Sequence, residues 1–322
     1  MTTRPHDALF KWAFEDPEDA AALLRDLLPP AIRGAIAWAS LRAERGSFID
    51  RVLADRHNDL LFSARLRTGE PRRIFFLLEH QSTADADMPR RMLAYQSRIW
   101  DRFRRDRPAA PLPPVIAVLV SHVPGGWTEA ISFEELFDPA VLALPGLAGL
   151  MPRFSMIAMD LAHLSDADLA AHALAAPQKL ALWLLRDARD PGRLLTSFDA
   201  WIPAMIETGR GRSGLDKIST LLEYMFRVVD GVNRDALRAK VEALGSSAEE
   251  ITMTIAELWK AEGRAEGMAK GQLNALRRLL VLKFKNLDAA AEARLQAAST
   301  EAIDRYLERL LSADSLTAVF DG

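Results

Sequence analysis

Residues 74–81, IFFLLEHQ, constrain this chain more than any other stretch. Five uninterrupted apolar residues read as a strand buried on both faces, yet they run straight into Glu79, His80 and Gln81. Polar groups driven into an apolar layer need partners there, because burial without hydrogen bonds is costly. Upstream, residues 59–66, DLLFSARL, alternate with Leu60, Phe62, Ala64 and Leu66 on one face. The polar stretch RTGEPRR separates the two runs, with Gly69 available for positive φ, so they read as an antiparallel hairpin. A turn centred on Gly69 and Glu70 makes the numbers of paired positions sum to about 139 and sets Asp59 opposite His80. Side chains alternate along a strand, so Glu79 and Gln81 share a face while His80 points the other way. Asp59, Glu79 and Gln81 can then converge at one end of the hairpin.

Two carboxylates meeting at the edge of an apolar sheet repel each other and are costly to desolvate. A divalent cation resolves both problems, and hard oxygen ligands suit Mg²⁺ or Mn²⁺, with Ca²⁺ as a further hard ion. Such an ion can bind a phosphate oxygen and lower the pKa of its water, while Gln81 orients that water or bonds to the phosphate. The same residues also fit a purely structural role, in which Asp59 caps the strand, Glu79 begins a loop and Gln81 is solvated.

Around the hairpin the pattern is mixed. Residues 7–28 read as two helices broken at Asp16-Pro17, with apolar stripes of Leu9, Phe10, Ala13, Phe14 and of Leu23, Leu24, Leu27, Leu28. A helix follows over 88–106, a strand over 114–122 ending at the turn Pro124-Gly125-Gly126, and a further strand over 154–161. This order predicts an α/β domain with a mixed sheet. Beyond about residue 164 the pattern is helical throughout.

The 88–106 helix carries Arg91, Arg98, Arg102 and Arg105 at i, i+7, i+11 and i+14, within about 60° on one face. That face can hold DNA phosphates, with Tyr95 and Gln96 bordering the site; it is equally the solvated side of an amphipathic helix. A local basic face matters because the chain as a whole has net charge −3, which counts mildly against a DNA role. Zero cysteines exclude disulfides, thiolate zinc sites and cysteine nucleophiles. No apolar run is long enough to cross a bilayer, and the acidic N-terminal stretch lacks the apolar core of a secretory signal, so no membrane association and a cytoplasmic location are expected. Gly209, Gly211 and Gly214 satisfy GxGxxG, but a helical pattern precedes them where a dinucleotide fingerprint needs a strand. The six histidines lack tight ligand spacing and default to neutral hydrogen-bonding roles.

The first part of the chain resembles the Rpn family of recombination-promoting nucleases, also labelled YhgA-like putative transposases, within the PD-(D/E)XK nuclease superfamily. The segments that carry the resemblance are HDALFKWAF (6–14), LLRDLLP (23–29), ERGSFID (44–50), NDLLFSARL (58–66), LLEHQST (77–83), MPRRMLAYQSRIW (88–100) and PVIAVLVSH (114–122). It implies a restriction-endonuclease-like mixed-sheet core flanked by helices over residues 1–165. A helical extension over 166–250, a Gly-containing helical linker over 251–272 and a small helical domain over 273–322 complete the expected organisation, with homo-oligomerisation through the C-terminal helical region. The implied activity is a metal-dependent DNA endonuclease associated with DNA recombination, using Mg²⁺ or Mn²⁺. Asp59 and Glu79 would hold the metal, Glu44 is an additional acid, and Gln81 stands at the superfamily's lysine position. Glutamine is neutral and cannot act as a base, which lowers the expected rate. The alternative is a non-catalytic DNA-binding or protein-interaction protein that keeps the fold.

Overall fold

The computed structural model describes residues 5–44, 60–67, 72–229, 236, 239–240, 271–285, 287–296, 298, 300–310 and 313–321. The chain divides into two compact units, Met1–Thr252 and Met253–Gly322.

The first unit begins with α1 (Pro5–Phe14), which buries the predicted stripe of Leu9, Phe10, Ala13 and Phe14. The carboxylate of Asp16 accepts a bond from the Glu18 N–H at 2.8 Å and so caps α2 (Pro17–Leu27), with Pro17 in its first turn. After α3 (Pro30–Ala35) comes β1 (Ile36–Ala43), a strand that the sequence pattern does not announce. Its residues, IAWASLRA, favour helix as readily as strand. Its register against the next strand shifts between Ala37 and Arg42, as at the irregular edge of a sheet.

Five strands follow the order β1-β2-β3-β4-β5, with β2 at Leu60–Leu66, β3 at Arg73–Gln81, β4 at Val115–Ser121 and β5 at Ile157–Asp160. The β1–β2 and β2–β3 pairs are antiparallel, β3–β4 and β4–β5 parallel, so the sheet is mixed as expected. Residues 74–80 of β3 are all buried, which is why that run is continuously apolar up to Leu78. The hairpin register differs by one residue from the sequence reading. Leu60 faces Leu78 and Leu61 faces Leu77, so paired numbers sum to 138. This register lays Leu61, Phe75 and Leu77 on one face, in the same apolar cluster; a slip of one residue would turn half of the hairpin's apolar side chains out of it.

The crossover helix α4 (Met88–Asp106) covers that face with Met88, Met92, Tyr95 and Ile99. On the opposite face Phe76 stacks on Trp38 and His80 on Phe10. There α1 packs against α6 (Ala176–Asp187) and α8 (Gly214–Val228), and α7 (Pro191–Arg210) packs on both α6 and α8. Ser165 forms a capping box with Asp168 at the start of the short α5 (Asp166–Ala171). Helix α6 is buried almost all round, and its polar end is satisfied internally. Asp187 accepts from Arg186 at 2.7 Å, from Ser197 at 2.9 Å and pairs with Arg193 at 2.9 Å. Residues 211–213 join α7 to α8, so the GxGxxG match spans a helix–helix junction and does not follow a strand. A Cβ at Gly214 would stand 2.2 Å from the Gly209 carbonyl oxygen, a reason for glycine unrelated to phosphate.

In the second unit a helix over 271–284 is followed by Ala289–Gln296, Thr300–Leu310 and Leu316–Asp321. Leu276, Leu280, Leu295, Ile303, Leu310 and Val319 form its own core. Most of the expected linker, residues 251–270 with Gly263 and Gly267, lies outside the described residues. Among the described residues no helix is long and apolar enough to cross a membrane.

Candidate active site

The parallel strands β3 and β4 end side by side, with Glu79 opposite Leu119 and Gln81 opposite Ser121. In open α/β sheets the carboxyl ends of parallel strands are where loops and side chains gather around ligands. Here they carry a carboxylate that is only 3% exposed. Glu79 Oε1 accepts from Gln81 Nε2 at 2.5 Å and from the Arg91 guanidinium, which reaches across from the first turns of α4. The second terminal nitrogen of Arg91 bonds the carboxylate of Asp85, in the loop between β3 and α4. One guanidinium thus bridges two carboxylates, and its side chain is 15% exposed. Buried ion pairs hold when both members have further hydrogen bonds, as both have here.

Each residue singled out from the sequence has a definite place or lies outside the described residues. Glu79 and Gln81 share a face and touch, as alternation predicts. Asp59 lies outside the described residues; it is the chain neighbour of Leu60, which pairs with Leu78. Glu44 follows β1, and its backbone N–H bonds the Leu61 carbonyl at 2.8 Å. Its carboxylate accepts from Ser63 at 2.5 Å and from Arg42 at 3.1 Å, so it is engaged with β1 and β2 rather than with Glu79. The arginine row divides. Arg91 turns into the site, Arg98 and Arg102 are half-buried, and Arg105 is exposed. Tyr95 and Gln96 are buried within the protein. Sequence reasoning overlooked Asp85, because the two acids of the polar loop STADAD, Asp85 and Asp87, look alike as ordinary helix-entry residues.

The other face of the same three residues is a cluster of imidazoles. His80 donates from Nδ1 to Asp7 at 3.1 Å, and its ring stacks between Phe10 and His122, each centroid 4.9 Å away. His122 donates from Nδ1 to the Leu185 carbonyl at 2.5 Å. His6 lies edge-on to His122 at 4.8 Å. Arg189 donates to its Nε2 at 3.1 Å, so the proton sits on Nδ1 and goes to Tyr224 Oη at 2.7 Å. Burial, reinforced by Arg189 and His80, pushes His6 down to about 4. Burial with the neighbouring histidines pushes His122 down to about 2, and burial lowers His80 as well. These rings are neutral packing elements at ordinary pH.

The family model described as "Putative transposase, YhgA-like" matches residues 4–212. This chain belongs to that family. The match takes in the whole five-stranded sheet and the helices through α7. The chain is 25% identical over 304 residues to the inactive recombination-promoting nuclease-like protein RpnE of Escherichia coli K12, covering 94% of this chain and 96% of RpnE. It is 27% identical over 264 residues to the recombination-promoting nuclease RpnA of the same strain, covering 82% and 86%. Over 141 residues it is 34% identical to the recombination-promoting nuclease RpnD of Escherichia coli O157:H7, covering 43% and 54%. No solved structure matches the chain. The relatives of this chain therefore include proteins named nucleases and others named inactive, and membership alone does not divide the two.

Proposed function

We propose that this YhgA-like protein is a metal-dependent DNA endonuclease that hydrolyses phosphodiester bonds. The observation that carries the reading is the pair Glu79 and Gln81, bonded at 2.5 Å on one face at the carboxyl end of β3, with the carboxylate buried. A carboxylate and an amide carbonyl are hard oxygen donors, which fit Mg²⁺ or Mn²⁺ in kind. Glu79 would hold the ion, together with Asp59 by the sequence motif; among the described residues no group of three acids or histidines could hold a metal by itself. When bound, the ion polarises the phosphate and supplies hydroxide from water. Gln81 cannot accept a proton at neutral pH; its part is to orient Glu79 and the water. Arg105, exposed at the far end of α4, would meet DNA phosphates electrostatically.

A second reading has its own observation. One of the two Gln81 amide N–H donors is already taken by Glu79, and a neutral amide adds no positive charge to a transition state. This favours a protein that binds DNA, or another partner, without cleaving. Plasmid nicking in Mg²⁺, Mn²⁺ and Ca²⁺, comparing the natural protein with Asp59→Ala and Glu79→Ala, separates the two. Cleavage by the natural protein that both variants lose supports the enzyme. No cleavage above the variant background in any ion, with DNA binding retained, supports the second reading.

A further inference from the structure

The arginine row on α4 predicts four equivalent phosphate contacts, but Arg91 is withdrawn from that row. Its guanidinium bonds Glu79 Oε1, the atom that also accepts from Gln81. A carboxylate oxygen offers two lone pairs, so these two donors fill Oε1. A metal ion can use that oxygen only if one donor leaves, and an ion on the carboxylate's other oxygen, Oε2, would still stand close to the same guanidinium. Gln81 is neutral and sits two residues away on the same strand, whereas Arg91 carries a full positive charge that a divalent ion repels at short range. Arg91 also has somewhere to stay. Its other terminal nitrogen is held by Asp85, whose side chain is 26% exposed, so the guanidinium can leave Glu79 without losing its counter-charge.

We propose that Arg91 is a resident cation that competes with the divalent metal for Glu79, with Asp85 as the acid that retains it when the metal binds. This rests on the metal-site reading above. It follows that metal affinity in this protein is governed by a residue that is not a ligand. An ion enters against the Arg91–Glu79 pair, and occupancy is conditional on metal concentration.

The test is Mn²⁺ binding to the full chain, followed by electron paramagnetic resonance of the free ion and by calorimetry, with no DNA present. Arg91→Gln should bind Mn²⁺ roughly ten-fold tighter or more, since one positive charge has left the site. Arg91→Lys keeps the charge and should stay near the natural value. Asp85→Asn removes the retaining acid and should weaken Mn²⁺ binding several-fold; it also decides the matter if Arg91→Gln does not fold. Glu79→Gln should abolish binding in every background. Binding that is unchanged or weaker in Arg91→Gln, while Glu79→Gln still abolishes it, overturns the competition and leaves the metal site standing. Absence of Mn²⁺ binding in the natural protein and in Arg91→Gln alike removes the metal-site reading, and the competition with it.

Discussion

The two faces of residues 79–81 are unlike each other in every physical respect except position. On one, Glu79 is paired with Arg91 and Gln81, and Arg91 is tied to Asp85. On the other, His80 lies in a neutral stack with Phe10, His122 and His6. Alternation along a single strand makes this division, since consecutive side chains leave opposite faces of the sheet. Both faces are buried, but burial is resolved differently. The carboxylate is compensated by an opposite charge, and the imidazoles by shedding theirs. The difference teaches that one polar strand end can serve two purposes. A held charge can be redirected to an incoming ion, whereas a neutral stack contributes packing and responds only to acid.

Breaking the charged face should have the largest effect. If the protein is a nuclease, Glu79→Ala should lower plasmid nicking by roughly a hundred-fold or more, the scale of losing a main electrostatic element of a site. Breaking the neutral face should act on stability instead. His122→Ala removes a buried ring between His6 and His80 and should cost about 2–4 kcal/mol in urea unfolding, with nicking by the folded fraction retained. A loss of nicking equal to that of Glu79→Ala, without loss of stability, would erase the division between the faces.

Acid should sharpen the same contrast. His6, at about 4, and His122, at about 2, bind protons in the folded protein far less readily than an ordinary histidine at 6.5. The unfolded chain therefore takes up protons first as pH falls. Stability from these groups is full above pH 6.5 and declines as the pH drops towards about 4, and further towards about 2 for His122. Thermal melts across that range should show the decline, and His6→Gln should flatten its upper part. A flat profile would mean that the stack does not stay neutral. The smallest effect belongs to the outer end of α4. Arg105→Ala should weaken DNA binding a few-fold and reduce the salt slope by about one, measured by fluorescence anisotropy.

Much of this was legible in the chain. The apolar stripe of α1, the break at Asp16-Pro17, the helix over 88–106 and the split of Glu79 and Gln81 from His80 all follow from local sequence pattern. β1 was not legible, because Ile36–Ala43 has mixed propensity and becomes a strand only by pairing with β2. The hairpin register was off by one residue, because a turn centre chosen from the sequence does not fix the pairing, which the apolar cluster does. Asp85 was invisible, and Arg91 was read as one of a row, since nothing in a helical wheel tells which arginine turns under the sheet edge.

The sequence by itself determined the alternation on β3 and hence that the acid and amide lie on one side and the imidazole on the other. That outcome depends only on the two-residue period of a strand. Tertiary structure decided what stands opposite each side: Arg91 and Asp85 for the carboxylate, Asp7, His122 and Phe10 for His80. Those partners come from segments up to 73 residues away in the chain. Packing of α1 and α4 on opposite faces of the sheet brings Asp7, Phe10 and Arg91 into contact, and the segments that follow β3 and β4 bring Asp85 and His122.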